Sequence, residues 1–448
     1  MLGEILKPEV HELIRKKDYK KIKEMFVEWQ AIDIADFLAD LPEDEMIMLY
    51  RLLPRKQAAR VFVELESEDQ EHVLRQLKNQ QLKEMILEIS PDDRTEIFEE
   101  LPAQVTQRLM DLLPSEERKE ALFLLGYPEN SLGRLMTPDY ISVRPYFTLA
   151  DALDHIRKYG KDSETINMVY VTDDESKLLD EIPIRRIILG NPQHIIESVM
   201  DYTFIAASAF DDQDEGADIM KRYDLVSLPV IDSEGLLIGI VTIDDIIDVM
   251  DEEATEDFQK EAAVSPLEFG YMATSPFMLY RKRIGWLVLL LLADFFSSGV
   301  IAHFEELISK FITLTIFIPI LIDSGGNTAT QSATLVIRAI SLGELTVKRW
   351  FEVVKREILT GALLGVSLGG ILFLRSYVWR GGTEVGFVLA ISMVVIVFWT
   401  NIAGSVLPII LTKLNFDPAV VSSPLLTTMV DAIGLIIYFN IARILLLG

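Results

Sequence analysis

The strongest constraint on the fold is a set of five long apolar runs in the C-terminal part of the chain. They lie at 284–303, 311–339, 358–378, 386–411 and 424–447. A helix needs about 20 apolar residues to cross a bilayer. A backbone in lipid must also satisfy its own hydrogen bonds, which a helix does. Residues 281–448 are therefore predicted to form a helical membrane domain with five spans.

Basic residues indicate the orientation of the spans, because Lys and Arg concentrate in cytoplasmic loops. They precede the first run and separate the second from the third and the fourth from the fifth: Arg281, Lys282, Arg283, Arg338, Lys348, Arg349, Lys355, Arg356 and Lys413. Arg375 and Arg380 lie on the other side without reversing this bias. The first residues lack the apolar core of a signal peptide. We therefore expect residues 1–280 in the cytoplasm and the C-terminus outside.

Three carboxylates lie inside apolar runs, namely Asp294, Asp323 and Asp431. Asp431 stands in the middle of the last run, and no Lys or Arg occurs in that run before Arg443. An ionisable group at this depth is costly unless it faces water, a partner or an ion. The three acids predict a path for cations. The alternative is that each acid is hydrogen-bonded to a neighbouring helix.

A glycine pair, Gly325 and Gly326, follows Asp323 inside the second run. Glycines at this depth either break a helix or let two backbones approach closely, and a broken helix in a bilayer must line protein or water. Asn327 and the Thr, Gln and Ser residues after it supply neutral oxygens. The last run carries a polar face at spacings of three and four, formed by Thr427, Thr428, Asp431 and Gly434.

Charge is unequally distributed along the chain. Residues 1–280 hold 59 acidic and 29 basic side chains, whereas residues 281–448 hold 10 and 13. The acidic part disfavours nucleic acid and anionic lipid as partners and favours cations, although acidity also serves solubility alone. The absence of cysteine excludes thiol chemistry and, with five scattered histidines, argues against soft metal ions. No phosphate-binding loop or catalytic constellation occurs, so we expect no enzyme.

Residues 1–130 are predicted to form an all-α superhelical stack of short helices. Prolines at 42, 54, 91, 102 and 114 precede acidic residues or apolar residues that recur at helical spacing. Proline suits the first turn of a helix, and acids complement its positive N-terminus. Such a repeat is typical of a small solenoid, with an irregular helical bundle as the alternative.

Residues 131–250 change to strand-like runs at 167–172, 227–232 and 236–242, with amphipathic helices between them. The unit occurs twice, at about 135–195 and 198–250, and this α/β pattern resembles a pair of CBS domains. Residues 251–280 are predicted to link this pair to the membrane, with a helix that continues from Ile243.

The domain order, together with two runs, resembles the MgtE family of bacterial magnesium channels and the related animal solute carriers. The runs are 318–335 (IPIL through SGGNTATQSATL) and 417–439 (DPAVVSSP through DAIGLIIYF). The resemblance implies a homodimer in a bacterial inner membrane with its pore on the two-fold axis. It also implies a plug helix at about 251–270, and closure of the pore by cytoplasmic Mg²⁺.

The resemblance implies that hydrated Mg²⁺ binds at Asp431. Mg²⁺ prefers six oxygens and loses its water reluctantly, so a single carboxylate is a poor site. A two-fold dimer would bring two together, with Asn327 and backbone carbonyls around them. The candidate pore residues are Gly326, Asn327, Thr427, Asp431 and Gly434.

The resemblance also implies a set of cytoplasmic acids that bind Mg²⁺ between domains. By position they are Asp92, Glu96, Asp224, Asp245, Asp248, Glu256 and Asp257. The alternative for each is a solvated surface acid.

The chain departs from the family in its first CBS copy. The adenosine signature Gly-x-x-Ser/Thr-x-x-Asp survives in the second copy as Gly239, Thr242 and Asp245. The first copy has Asp180, Pro183 and Arg186 instead. ATP binding there, with Tyr170 and Arg185 as contacts, is left open. A further departure is Ala329, where relatives often carry glycine.

Two other hypotheses stay open. One is a membrane-anchored CBS receptor without transport, although an anchor has no use for buried acids. The other is a carrier for Mn²⁺, Co²⁺ or Ca²⁺, or one coupled to Na⁺ or H⁺. The sequence favours a Mg²⁺ channel and does not decide between ions.

Overall fold

The computed structural model describes residues 2–161, 163–267, 271, 274–341, 344–345, 347–378, 382–414, 416–418 and 423–447. The chain forms two compact units, Met1–Asp251 and Glu252–Gly448.

Short helices that pack in alternation form the N-terminal part of the first unit. They are α1 (Leu2–Lys16), α2 (Tyr19–Phe26), α3 (Ala31–Ala39), α4 (Glu43–Tyr50), α5 (Arg55–Val63), α6 (Ser67–Gln76), α7 (Asn79–Ile86), α8 (Pro91–Glu100), α9 (Ala103–Leu112) and α10 (Ser115–Leu124). Helices two apart in the chain pack together, since α3 contacts α1 and α5, and α7 contacts α5 and α9. This order is that of the predicted superhelical stack, with one apolar core that includes Phe26, Phe37 and Phe62.

Prolines begin five of these helices. Pro91 is the first residue of α8, and prolines 42, 54, 102 and 114 directly precede α4, α5, α9 and α10. Proline has no N–H to leave unsatisfied there, and its ring fixes φ near the helical value. The first turns of α4, α8 and α10 are acidic, which suits the positive end of each helix. The proline pattern therefore predicted the helix starts correctly.

Two copies of one α/β unit complete the first unit. Their elements are α11 (Leu132–Leu135), β1 (Ser142–Val143), α12 (Leu149–Tyr159), β2 (Met168–Thr172), β3 (Leu178–Pro183), α13 (Ile184–Leu189), a 3₁₀ turn (Ile196–Val199), β4 (Ala207–Ser208), α14 (Gln213–Tyr223), β5 (Ser227–Ile231), β6 (Leu237–Thr242) and α15 (Ile243–Glu261). The sheets have the orders β1-β2-β3 and β4-β5-β6, and in both the first pair is parallel and the second antiparallel. This equivalence confirms the predicted repeat.

The two sheets are joined edge to edge. The Leu178 N–H donates to the Gly235 carbonyl at 3.2 Å, and the Leu237 N–H donates to the Ser176 carbonyl at 3.0 Å. A shared apolar core includes Tyr170, Leu178 and Leu237. The copies therefore form one module.

Helix α15 continues from the last strand, as predicted, but it ends at Glu261 rather than near residue 270. The Ala263 N–H donates to the Lys260 carbonyl and the Val264 N–H to the Gln259 carbonyl, both at 2.9 Å. Ala263 has φ +57°. These are the bonds and the left-handed residue of a Schellman motif, which closes a helix.

Five long helices make up most of the second unit, together with two short elements. They are α16 (Pro276–His303), α17 (Glu305–Lys310), α18 (Thr313–Ser341), a 3₁₀ turn (Val347–Arg349), α19 (Trp350–Val378), α20 (Gly382–Lys413) and α21 (Ser423–Leu447). Each predicted span falls on one long helix. Helices α16, α19, α20 and α21 are long and apolar enough to cross a membrane. Helix α18 is as long as α19, but its second half is polar.

Candidate functional site

Helices α18 and α21 approach each other closely where α18 carries its glycine pair. A Cβ atom on Gly325 would lie 2.8 Å from Val430 of α21, and one on Gly326 would lie 3.3 Å from Thr427. Such contacts leave little or no room for a larger side chain. Helix α18 is continuous from Thr313 to Ser341. Of the two alternatives for the glycine pair, the structure supports close packing and not a broken helix.

Asp431 lies in the middle of α21 and is half-buried. Its Oδ1 atom is enclosed by protein and has no hydrogen-bond partner among the described residues. Helix α16, which carries Asp294, packs against α21. An enclosed carboxylate oxygen without a partner is costly. A cation, or water held by a cation, would stabilise it.

The hydroxyls one turn before Asp431 donate to their own helix. Thr427 donates to the Ser423 carbonyl and Thr428 to the Pro424 carbonyl, each at 3.0 Å. The hydroxyl oxygens keep lone pairs and so present acceptors on the same face as Asp431. Gly434, one turn later, is buried against Ile322 of α18. Gly434 therefore lies at the packing contact between α21 and α18.

A polar stripe runs along the exposed side of α18. Its members are Asp323, Asn327, Gln331 and Thr334, which are all exposed in the single chain. The Asn327 amide donates to an Asp323 carboxylate oxygen at 3.4 Å. A carboxylate and an amide facing lipid would be costly. The stripe therefore faces water or another protein surface in the membrane.

A group of acids lies between the helical stack and the second CBS copy. This acidic cluster consists of Glu64, Asp92, Asp93, Glu164, Asp244, Asp245 and Asp248. Asp92 and Asp93 lie in the first turn of α8, and Asp244 and Asp245 lie in the first turn of α15. An ion pair between α11 and α8, Arg134 to Glu99 at 2.7 Å, joins the stack to the CBS module.

Among the described residues, the charges that most affect the pKa of these acids are those of other acids. Burial, and then the charge of Asp245, raises the pKa of Asp92 well above its ordinary value. Burial raises the pKa of Asp245 to about 7, opposed by a hydrogen bond from Thr242. The pKa of Glu64, Asp93, Glu164 and Asp248 is raised by burial and by neighbouring acids. No Lys or Arg is among the causes of these shifts.

Asp92 is a buried member of the acidic cluster, since only 7% of it is exposed. Its Oδ1 has no hydrogen-bond partner among the described residues. Within those residues, no three acidic or histidine side chains are arranged to hold a metal ion directly.

The predicted sensing acids are not all in this place. Asp92, Asp245 and Asp248 belong to the acidic cluster. Glu96 lies on α8, and Asp224 is the left-handed C-cap of α14; neither is among the charges that most affect the pKa of Asp92 or Asp245. Sequence reasoning missed four members of the acidic cluster, namely Glu64, Asp93, Glu164 and Asp244. The doubled acids after Ser90-Pro91 and after Ile243 were the available signal for Asp93 and Asp244.

Glu256 and Asp257 lie near the end of α15, in the second unit. Lys260 Nζ is 2.8 Å from a Glu256 oxygen and 2.8 Å from an oxygen of Asp417, which precedes α21. Burial and then the Asp417 charge raise the pKa of Asp257. Glu261, the residue after Lys260, accepts a hydrogen bond from the Thr334 hydroxyl of the α18 stripe. The end of α15 is thus bound to α18 and to the segment before α21.

The two residues proposed to contact a nucleotide differ in their exposure to solvent. Tyr170 is fully buried, and its hydroxyl is 2.8 Å from the Ser227 hydroxyl. Arg185 is exposed on α13. Asp180, in place of the signature glycine, accepts hydrogen bonds from the N–H groups of Asp201 and Tyr202. The first CBS copy therefore uses its altered positions for internal contacts.

Comparison with protein families gives three matches along the chain. Residues 318–441 match the MgtE divalent cation transporter family, and residues 29–130 match the MgtE intracellular N domain. Residues 132–189 and 196–252 each match the CBS domain.

Comparison with characterised proteins gives relatives of the same length. The chain is 37% identical to the magnesium transporter MgtE of Thermus thermophilus, over 99% of each chain. It is 32% identical to that of Bacillus subtilis, over 96% of this chain and 95% of the relative. An inosine-5'-monophosphate dehydrogenase of Aquifex aeolicus matches only 29% of this chain. The relatives that span the chain are transporters, not enzymes.

Two solved structures resemble the first part of the chain. One is the cytosolic domain of the Mg²⁺ channel MgtE in complex with ATP, with a TM-score of 0.52 and 33% identity, covering 53% of this chain and 98% of that one. The other is the soluble part of a magnesium transporter, with a TM-score of 0.53 and 28% identity, covering 56% and 99%.

Proposed function

Because the chain belongs to the MgtE family of divalent cation transporters, we propose that it forms a homodimeric Mg²⁺ channel of a bacterial inner membrane. Cytoplasmic Mg²⁺ closes this channel. The N-terminal domains lie in the cytoplasm and the C-terminus lies outside. The observation that carries the proposal is the enclosed, unpartnered Oδ1 of Asp431 in a spanning helix.

The ion path runs along the face formed by α18 and α21. Asn327 and Asp431 are carried on these two closely packed helices, and neither side chain is enclosed by its own chain on every side. A two-fold axis at this face would place two copies of each around one ion. Two carboxylates and two amides then hold Mg²⁺ through its water shell, which suits its reluctance to dehydrate. The polar stripe of α18 supports this arrangement because it needs water or protein against it.

Transport needs no chemical energy source. The membrane potential favours entry of a divalent cation by about 4–5 kcal/mol per 100 mV. The path therefore has only to lower the barrier for a hydrated ion.

Closure uses the acidic cluster and the end of α15. Mg²⁺ in the acidic cluster removes the repulsion between α8 and the start of α15, and so fixes that helix. Asp245 at its start and Lys260 at its end are about 22 Å apart along the helix axis. Helix α15 is continuous between these two residues. There, Lys260 and Glu261 contact the segments that carry the pore residues.

The ion path is tested by replacing its carboxylate. Asp431→Ala removes the charge that compensates the ion, so Mg²⁺ entry into proteoliposomes is expected to fall at least tenfold, as for loss of a charge-assisted contact. Glu306→Gln, an exposed acid of the outer segment, is the matched control and is expected to transport normally. Wild-type flux in folded Asp431→Ala protein would contradict the proposed path. Competition by Mn²⁺, Co²⁺ or Ca²⁺ in the same assay measures the selectivity.

A further inference from the structure

Another carboxylate, Glu357, lies about two turns into α19, directly before the third apolar run, and joins three helices. Its Oε2 accepts a hydrogen bond from the Asn401 amide of α20 at 2.5 Å, and the Ser332 hydroxyl of α18 is 3.2 Å away. The Asn401 amide also donates to the main-chain carbonyl of Glu357 at 2.8 Å. The Ser332 hydroxyl is also 3.0 Å from the main-chain carbonyl oxygen of Asn401.

Two of the three partners in this polar contact are buried, and Glu357 itself is partly buried. Ser332 is 4% exposed and Asn401 is 2% exposed. A carboxylate at the edge of a spanning segment and against buried side chains is costly unless it is paired. Hydrogen bonds to an ionised acceptor are about twice as strong as neutral ones. The contact is therefore strong. It also requires a specific geometry, whereas an apolar contact between three helices does not.

Glycines make the contact reachable from both sides of α20. A Cβ on Gly361, one turn after Glu357, would lie 3.2 Å from the Asn401 side chain. A Cβ on Gly404 of α20 would lie 2.4 Å from the Ala329 carbonyl oxygen of α18. Helices α19 and α18 therefore both approach α20 closely at this level.

The contact is close to the ion path but on the other side of α18. Ser332 follows Asn327 by five residues, about 7.5 Å along the helix axis. Ser332 is buried, whereas Asn327 is on the exposed stripe. Whatever fixes the rotation of α18 through Ser332 also fixes the direction in which Asn327 is presented.

We propose that Glu357 is a positioning residue for the ion path. Its carboxylate, through Asn401 and Ser332, holds α18 in the rotation and height at which Asn327 lies on the exposed polar stripe. Glu357 does not touch the ion. The inference rests on the proposed function, because it assigns Glu357 a role in transport through Asn327.

The position of α18 can be measured without transport. The chain has no cysteine, and the hydroxyls of Thr330 on α18 and Ser423 on α21 are 3.1 Å apart. Full-length protein with Thr330→Cys and Ser423→Cys is expected to form a disulfide rapidly under mild oxidation. Adding Glu357→Ala is expected to slow this reaction about tenfold, as for loss of hydrogen bonds to a charged group. Adding Glu357→Gln is expected to restore at least half of the rate.

Transport is measured on the same replacements in the cysteine-free protein. Glu357→Ala is expected to lower maximal Mg²⁺ entry about tenfold, and Glu357→Gln to recover most of it. Glu352→Gln, an exposed acid one turn earlier on α19 that pairs with Arg349, is the matched control. It should change neither reading. Ser332→Ala removes only the α18 contact and should reproduce the loss without adding to that of Glu357→Ala.

An unchanged disulfide rate in folded Glu357→Ala and Ser332→Ala protein would overturn the proposal. So would a slower disulfide reaction with normal Mg²⁺ entry, because α18 would then move without consequence. If wild-type protein admits no Mg²⁺, the proposed function fails, while the disulfide rate still decides whether Glu357 positions α18. Should Glu357→Ala not fold, Ser332→Ala gives both readings.

Discussion

Asp431 and Asp92 share a property at the residue scale that their neighbours lack. Each has a carboxylate oxygen enclosed by protein without a hydrogen-bond partner among the described residues. One lies in a spanning helix and the other in the acidic cluster. Both are places where a bound cation would stabilise the folded chain, which ties transport and its regulation to the same physical requirement.

The acidic cluster makes stability depend on pH and Mg²⁺ together. The pKa of Asp245 is about 7 when folded. Between about pH 4 and 7 the folded chain therefore holds a proton that the unfolded chain has released, and stability falls as pH rises. Because Mg²⁺ competes with that proton, Mg²⁺ is expected to raise the melting temperature of the full-length protein more at pH 8 than at pH 6.

The matched variants for this measurement are Asp245→Asn and Asp111→Asn. The first should reduce the difference in Mg²⁺ stabilisation between pH 8 and pH 6, since it removes one titrating group. The second replaces an exposed acid and should leave the difference unchanged. Equal stabilisation by Mg²⁺ at both pH values in wild-type protein would rule out the acidic cluster as the titrating site.

Single residues could be predicted from the sequence where their local surroundings were sufficient. Asp431 stands out because it lies in a mostly apolar run in which a charge is conspicuous, and Asp92 and Asp245 were inferred from the family resemblance. Glu164 and Glu64 could not be found in this way. They are ordinary acids in an acidic sequence. Only the tertiary contact of α8 with the CBS module brings them close to the other carboxylates of the acidic cluster.

At the element scale, α15 connects the two parts of the proposed mechanism. It begins with acids of the acidic cluster, and it ends at Glu261 in a Schellman motif, beyond the Lys260 contact with Asp417. Local signals predicted that this helix starts at Ile243. Its end was wrong by about nine residues, because Ala263 takes a left-handed conformation that glycine normally signals.

The Lys260 contact is expected to help closure. Lys260→Met keeps the aliphatic stem but removes the ion pairs with Glu256 and Asp417. These pairs are partly exposed, so their loss is expected to weaken the closed state by roughly 1 kcal/mol. The cytoplasmic Mg²⁺ concentration for half-closure should then rise about fivefold, measured by Mg²⁺ entry at graded internal Mg²⁺.

Lys413→Met is the matched control for this element. Lys413 is an exposed cation at the end of α20, and its replacement should leave half-closure unchanged. If Lys260→Met lowered the Mg²⁺ needed for closure, the contact would belong to the open state and not to the closed one.

At the scale of the whole molecule, the charge is divided between a strongly acidic part and a membrane part. Residues 1–280 carry an excess of 30 acidic side chains per chain, and the proposed dimer carries twice that number. Such a charge favours separation of the cytoplasmic domains, and divalent cations oppose it. Under the proposed gating, the whole acidic part, and not only the acidic cluster, would therefore favour opening when Mg²⁺ is scarce.

The architecture could be predicted from the sequence because each part has its own period. Apolar runs predicted the spans, prolines predicted the stack, and the repeated strand pattern predicted the CBS pair. The route of α18 could not be predicted, since the same glycine pair fits a broken helix and a closely packed one. The choice depends on Val430 and Thr427, which lie more than a hundred residues away in the chain.

The central claim is that this chain is a Mg²⁺ channel closed by Mg²⁺ on its cytoplasmic side. The most direct measurement is Mg²⁺ entry into proteoliposomes with micromolar or millimolar Mg²⁺ on the cytoplasmic face of the full-length protein. The account predicts fast entry at low cytoplasmic Mg²⁺ and strong suppression at millimolar Mg²⁺. Entry that does not change with cytoplasmic Mg²⁺, or no entry by folded protein at any level, would contradict it.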